Sequence, residues 1–239
     1  MAVRKRPSDY QENSIRVLKG LEPVKSRPGM YTLTDNPLHI IQEVLDNASD
    51  EVLGGFGDTI TLTMCADGSV AVEDNGRGIP VGIHPTEGIP TVELVFTQLH
   101  AGGKFDKASG GAYSFSGGLH GVGVSVTNAL SRHLNVTVWR DGKQYDIGFA
   151  DGFVSEPLTE QPSSRGKKYT GTRVQCLPDP KYFDSPTIPE QQLIGLLQSK
   201  AVSKRRGGLK KTMRRLPWTR VPTGLCAGAK PAHPCARAT

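Results

Sequence analysis

The sequence predicts an α/β protein folded as a two-layer sandwich, with a mixed, mainly antiparallel sheet covered by helices on one face. Three observations predict it. Alternating apolar runs flank Asp67-Gly68 and Asp141-Gly142, the pattern of antiparallel hairpins closed by tight turns. Four stretches, at 40–54, 91–99, 122–130 and 188–202, carry apolar residues at helical spacing along one side, as helices lying on a sheet do. With 239 residues, 36% apolar and 22% charged, the chain has ample material for a core and lies outside the disordered class.

In chain order, residues 1–14 are polar and aperiodic and are expected to form a flexible arm. Ile15, Val17, Leu18 and Leu21 predict a short helix ahead of Glu22-Pro23, and Arg27-Pro28-Gly29-Met30 a turn. Asp35-Asn36-Pro37 supplies a start signal for the helix over 40–54, which Gly54-Gly55 ends. Strands are expected at 59–65 and 69–73, running into Asp74-Asn75-Gly76-Arg77-Gly78-Ile79-Pro80, too rich in turn residues to extend a sheet. After the helix at 91–99, residues 102–123 hold eight of the 28 glycines, a long aperiodic loop of the lid or binding type. The second hairpin spans 135–149, a polar loop 159–170, a further strand 171–177 and a last helix 188–202.

Composition narrows the function classes. Ten of the 29 Lys and Arg residues, and none of the 23 Asp and Glu, fall in 203–239, which leaves residues 1–202 at a net charge of −4. A DNA-binding footprint would therefore have to come from the tail or from local patches. The spacing of Cys65, Cys176, Cys226 and Cys235 matches no zinc or redox motif, so reduced thiols are expected. No apolar run approaches the roughly 18 residues of a membrane helix, and the start is not a secretory signal, so the chain reads as cytoplasmic with no membrane partner.

Three segments carry chemistry. The helix over 40–54 sets its apolar stripe of Ile41, Val44, Leu45, Ala48 and Val52 against Glu43, Asn47 and Asp50, with Glu51 beside them. Such a face is ordinarily solvated, but Asn is a poor residue for mid-helix, and the set could hold a water and a cation. Asp74 opens a glycine turn at a strand end. Gly117-Gly118-Leu119-His120-Gly121-Val122-Gly123 opens a helix, where backbone N–H groups suit phosphate oxygens. Gly102-Gly103-Lys104-Phe105 lacks the Ser or Thr of a P-loop, and the later glycines lack dinucleotide spacing, so a different phosphate loop is implied.

Together, in this order, the three segments resemble the ATP site of the gyrase, chaperone, histidine-kinase and mismatch-repair ATPases, the Bergerat or GHKL fold. Nearly all of 15–202 is similar to B subunits of bacterial type II topoisomerases. Leu21-Glu22-Pro23-Val24, Arg27-Pro28-Gly29-Met30-Tyr31-Thr32, the run from Phe115 to Gly123 and Phe183-Asp184-Ser185-Pro186 look more like the topoisomerase IV version than the gyrase one. The resemblance implies ATP and Mg2+ as cofactors, bound between helices and lid. It implies Glu43 as general base, Asn47 as magnesium ligand and Asp74 as reader of the adenine amine, with Asp50 and Glu51 on the same helix. Arg77 would pair Glu51 over the base, and Gly78, Ile79 and Pro80 would pack around it. Thr172 would support Asp74 through a water, and Arg140 would line the outer rim. Gly118, Leu119, His120, Gly121, Val122, Gly123 and Val124 would cradle the phosphates, with Lys104 and Tyr113 nearby. Tyr10, in an arm that crosses to a second B-type protomer, would reach that protomer's nucleotide. Implied partners are an A-type subunit, DNA, a second copy of the B-type protomer and aminocoumarin inhibitors, in a nucleoid-associated setting. Histidines other than His120 are read as structural.

The resemblance stops near residue 202. Relatives continue into a second domain whose lysine touches the terminal phosphate, so the chain is expected to bind ATP with little hydrolysis. Residues 203–239 are read as an out-of-frame product, or else as a basic segment contacting DNA, with the former preferred and no order expected. A DNA-binding or interaction module with a vestigial pocket, and a histidine-kinase catalytic domain, are the rival functions.

Overall fold

The computed structural model describes residues 17–101, 122–202 and 210–215. Helices α1 (Glu22–Ser26) and α2 (Leu38–Leu53) precede strands β1 (Thr59–Met64) and β2 (Val70–Asp74). Helices α3 (Thr91–Thr97) and α4 (Gly123–Ala129) lead into β3 (Ser131–Arg140), β4 (Lys143–Ala150), β5 (Phe153–Pro162) and β6 (Gly171–Pro178). Helix α5 (Glu190–Val202) and strand β7 (Lys210–Arg215) follow. The strands form one sheet in the order β5-β4-β3-β6-β2-β1-β7, antiparallel throughout except for the parallel β1–β7 pair.

Period-two burial explains why the helices share one face. Ile60 and Leu62, Val70 and Val72, Leu134, Val136 and Val138, Ile147 and Phe149, and Val174 and Cys176 all enter a single core. There they meet the α2 stripe, Val92 and Phe96 of α3, and Leu193 and Leu197 of α5. Residues between them point to the other face, which is polar. Thr137 donates to Asp146 at 2.7 Å, as do Gln144 and Gln161, each at 2.9 Å. A smaller cluster of Leu21, Val24, Ile40, Val126, Leu130 and Phe183 joins α1 to α4.

Turn chemistry fixes the hairpins. Gly68 lies at φ +86°, and Asp67 Oδ1 accepts from the Ser69 N–H at 2.9 Å. Asp141 and Gly142 both have positive φ, at 54° and 75°, the conformation that matches strand twist. At the start of α2, Asn36 Oδ1 accepts from the Leu38 N–H at 3.0 Å, satisfying a first-turn donor.

The structure differs from expectation in three places. Among the described residues the first helix begins at Glu22, and 17–21 ahead of it are not helical; Pro23 suits a first turn because it has no N–H to lose there. Residues 153–162 form β5 in place of irregular chain, overlapping the start of the polar loop expected over 159–170. Residues 210–215, in a segment expected to carry no order, pair along β1, since backbone pairing at an edge requires no apolar pattern. No helix of the described residues is long and apolar enough to cross a membrane.

Candidate nucleotide site

Helix α2 lies over the ends of β2 and β6, and between them opens a cavity of about 1160 Å3. Glu43, Asn47 and Glu51, four residues apart, line it from α2, as does His39 at the preceding step. Asp74 and Thr172, directly paired in the β2–β6 register, line it from the sheet together with Val72 and Val174. Gly78, Ile79, Pro80, Arg77, Arg140, Val122, Gly123 and Val124 complete the expected residues found on its wall. Asp50 does not line it; the side chain is 1% exposed, in the protein interior. Tyr10, Lys104, Tyr113, Gly118, Leu119, His120 and Gly121 lie outside the described residues.

Asp74 is a strongly perturbed group of the site. Its carboxyl is 6% exposed, and burial raises its pKa to about 7, against the opposing effect of the Gly76 N–H donating to Oδ1 at 2.8 Å. The negative charge of Glu51 adds to the upward shift. A buried carboxyl on the wall of a cavity is placed to accept from a donor that enters it. Thr172 acts on the loop: its Oγ1 accepts from the Ile79 N–H at 3.2 Å.

The turn after β2 is shaped by close approaches. Gly78 lies at φ +77°, with space for a Cβ blocked by the Trp139 carbonyl at 2.8 Å. Its own carbonyl accepts from Arg140 Nη1 at 3.0 Å, so Arg140 fastens the turn at the rim. Arg77 makes a two-pronged bond to Glu51, Nε to Oε2 at 3.1 Å and Nη2 to Oε1 at 2.9 Å, and its N–H adds a third at 3.0 Å. Bidentate pairing fixes both partners more firmly than a single contact.

On α2, Asn47 Nδ2 donates back to the Glu43 carbonyl at 3.2 Å. The Glu43 carboxylate packs against Gly123; a Cβ there would collide with Oε2 and lie 2.8 Å from Cδ. This contact sets Glu43 at the opening of α4. The sequence reading missed the apolar walls, Val44, Val72 and Val174, and left His39 structural. Strand period two from Asp74 and Thr172, and a helical step of four from Glu43, were signals for three of these. His39 Nδ1 lies 2.8 Å from Thr32 Oγ1.

A family model described as "Histidine kinase-, DNA gyrase B-, and HSP90-like ATPase" matches residues 33–181, which contain every described part of this cavity on the sheet, α2 and α4. The chain belongs to this ATPase family. It is 51% identical over 193 residues to the B subunit of DNA topoisomerase 4 from Pseudomonas aeruginosa, covering 81% of this chain and 30% of the relative. It is 48% identical over 201 residues to the B subunit of DNA gyrase from Micrococcus luteus, covering 83% of this chain and 27% of that one. The fold matches the topoisomerase IV ATP-binding domain of Francisella tularensis in complex with a small-molecule inhibitor, at TM-score 0.66 and 46% identity over 78% of this chain and 48% of that one. It also matches the 43K ATPase domain of Thermus thermophilus gyrase B in complex with an aminocoumarin, at TM-score 0.69 and 41% identity over 84% and 50%. The chain thus spans about 30% of the length of the topoisomerase proteins it resembles, as an ATPase-family domain.

Proposed function

We propose that this chain is the ATP-binding part of a topoisomerase IV B-type protomer, in which nucleotide binding and hydrolysis drive closure of a dimer gate and passage of DNA. The observation that carries the reading is the buried Asp74 carboxyl on the wall of one cavity, beside the apolar side chains of Val72, Val174, Ile79 and Pro80, with Glu43 and Asn47 lining the same cavity from α2. A buried acceptor among apolar side chains suits a base with a single buried donor. Asp74 accepts from the exocyclic amine of adenine, where the carbonyl of guanine would place acceptor against acceptor. Ile79 and Pro80 pack on the base, with Arg77 and Glu51 beside it.

At the other end, Glu43 orients and accepts a proton from the attacking water, a contribution of roughly 10²- to 10⁴-fold in such reactions. The Asn47 amide oxygen would hold Mg2+ as a hard, neutral donor, and the cation would supply positive charge to offset that of the phosphates. The N–H groups of Gly123 and Val124, at the opening of α4, face the phosphates. Arg77 and Arg140, the two arginines that line the cavity among the described residues, are both committed at the base end, which supports weak hydrolysis by this chain alone. An A-type subunit, DNA, a second copy of the B-type protomer and aminocoumarins are the partners this reading carries, in the bacterial cytoplasm at the nucleoid.

Calorimetric titration of the 239-residue chain with a non-hydrolysable ATP analogue and Mg2+ tests the reading. Binding is expected, and Asp74→Asn should weaken it by about 1–3 kcal/mol, the cost of a mispaired buried polar group. A folded wild-type chain that takes no nucleotide would refute it. Gyrase is the second reading because the Thermus thermophilus gyrase B domain superposes at TM-score 0.69; decatenation without negative supercoiling by the assembled enzyme would decide for topoisomerase IV.

A further inference from the structure

Phe56 is a large apolar side chain left 42% exposed just beyond the cavity, and neither base recognition nor hydrolysis uses it directly. The Arg77 guanidinium lies over its ring, 3.5 Å from the centroid, while the same guanidinium holds both oxygens of Glu51. Arg77 lines the cavity and Phe56 does not, so the ring backs the guanidinium from outside.

The backbone is built for this contact. Gly55, at φ +82°, turns the chain at the end of α2, and the Phe56 N–H donates to the Glu51 carbonyl at 3.0 Å. A Cβ on Gly54 would lie 2.9 Å from Phe56 Cδ2 and Cε2. A Cβ on Gly57 would lie 2.8 Å from Asn75 Oδ1, in the turn that carries Arg77. Glycine at 54 leaves room for the ring at the helix end, and glycine at 57 lets the segment come up to that turn. A half-exposed phenyl ring gains little from burial, so its use lies in what it holds.

We propose that Phe56 is a positioning residue for base recognition: with Glu51 it fixes the Arg77 guanidinium as a flat plate against the cavity, so that a planar base meets a preset surface. The inference rests on the nucleotide reading above. The Glu51 fork fixes the edge of the guanidinium and the ring fixes its face; ordering this long side chain in advance removes a cost from binding. A cation over a phenyl ring is worth a few-fold to tenfold or more in an equilibrium.

The test titrates the non-hydrolysable ATP analogue, and separately ADP, into the wild-type 239-residue chain and into Phe56→Leu, Phe56→Ala and Phe56→Tyr, with thermal melts of each. Leu and Ala should weaken both nucleotides by about fivefold and Tyr by less than about twofold, with melting temperatures within about 3 °C of wild type. The factor should be the same for the two nucleotides because they share the base. Wild-type affinity in Phe56→Leu, a loss confined to the triphosphate, or Tyr failing as Leu does would overturn the proposal while leaving the nucleotide reading intact. Absence of binding by the wild-type chain would overturn the nucleotide reading and this inference with it.

Discussion

At the scale of single residues, Asp74 sets stability against function. In the folded protein its carboxyl titrates at about 7, above the ordinary 3.8, chiefly because burial disfavours the charge. Between those two pH values the native state keeps a proton that the unfolded chain has released. Stability from this group is therefore full below about pH 4, falls as pH rises through 7 and is absent above. The cost at pH 8 is on the order of a few kcal/mol. Asp74→Asn should accordingly raise the melting temperature of the nucleotide-free protein by several degrees at pH 8 and by little at pH 4, read by scanning calorimetry at both. Nucleotide binding should run the other way in the wild type. An amine donor favours the ionised carboxylate, so affinity should improve as pH rises from 6 to 8, and the Asn variant should lose that dependence. A variant with the wild-type pH profile would remove Asp74 from the base contact. Gly123 makes a second residue-scale case. Gly123→Ala places a methyl where the Glu43 carboxylate sits, and should weaken nucleotide binding by at least tenfold, about 1.4 kcal/mol, by calorimetry with the fold checked by circular dichroism.

At the scale of elements, α2 and β5 mark the two ends of what the sequence reveals. The stripe of Ile41, Val44, Leu45, Ala48 and Val52 reads as a helix because five apolar residues recur on one side, and all are buried in the structure. Leu45 has no exposure, so Leu45→Ala should cost about 2–5 kcal/mol, seen as a melting point lower by roughly 5–15 °C. Strand β5 was illegible for the opposite reason. As the outermost strand it exposes most of both faces, so its side chains carry no alternation to read. The signal present was a third Asp-Gly turn: Asp151 and Gly152, at φ 48° and 79°, close β4 onto β5 just as Asp141-Gly142 closes β3 onto β4. Phe153, 68% exposed on β5, should accept alanine at under about 1 kcal/mol despite the Lys25 ammonium over its ring. The same contrast holds in the site. Glu43, Asn47, Asp74 and Arg77 are legible because their chemistry is unusual for their setting. Val44, Val72 and Val174 read as ordinary core, and only the topology shows that a cavity opens between them. Asp50 shares the face of Glu43 and Asn47 on a helical wheel, yet α2 lies close enough to its neighbours at that point to bury it to 1%. A wheel gives direction and no depth.

At the scale of the whole molecule, ligand binding and folding are linked, and the sheet order says where the linkage should be visible. A nucleotide held at a hundred times its dissociation constant adds about 2.7 kcal/mol to the stability of a chain whose unfolded form does not bind it. Amides that exchange with solvent only when the whole protein unfolds should then slow by about a hundredfold. Those are the interior strands β3, β6 and β2, which hold Val136, Val174 and Val72 in one core. The turn from Gly76 to Ile79 should also gain protection, through direct contact with the base. Strand β5 pairs on one side only, to β4, and most of its side chains face solvent. Its amides should exchange by local fraying, which the nucleotide does not oppose, and their rates should stay within about twofold. Hydrogen exchange read peptide by peptide, with and without the ATP analogue, separates these classes in one experiment. Equal slowing in β5 and β6 would mean that the sheet opens as one unit, and the division between a rigid, ligand-coupled centre and an independent outer edge would fail.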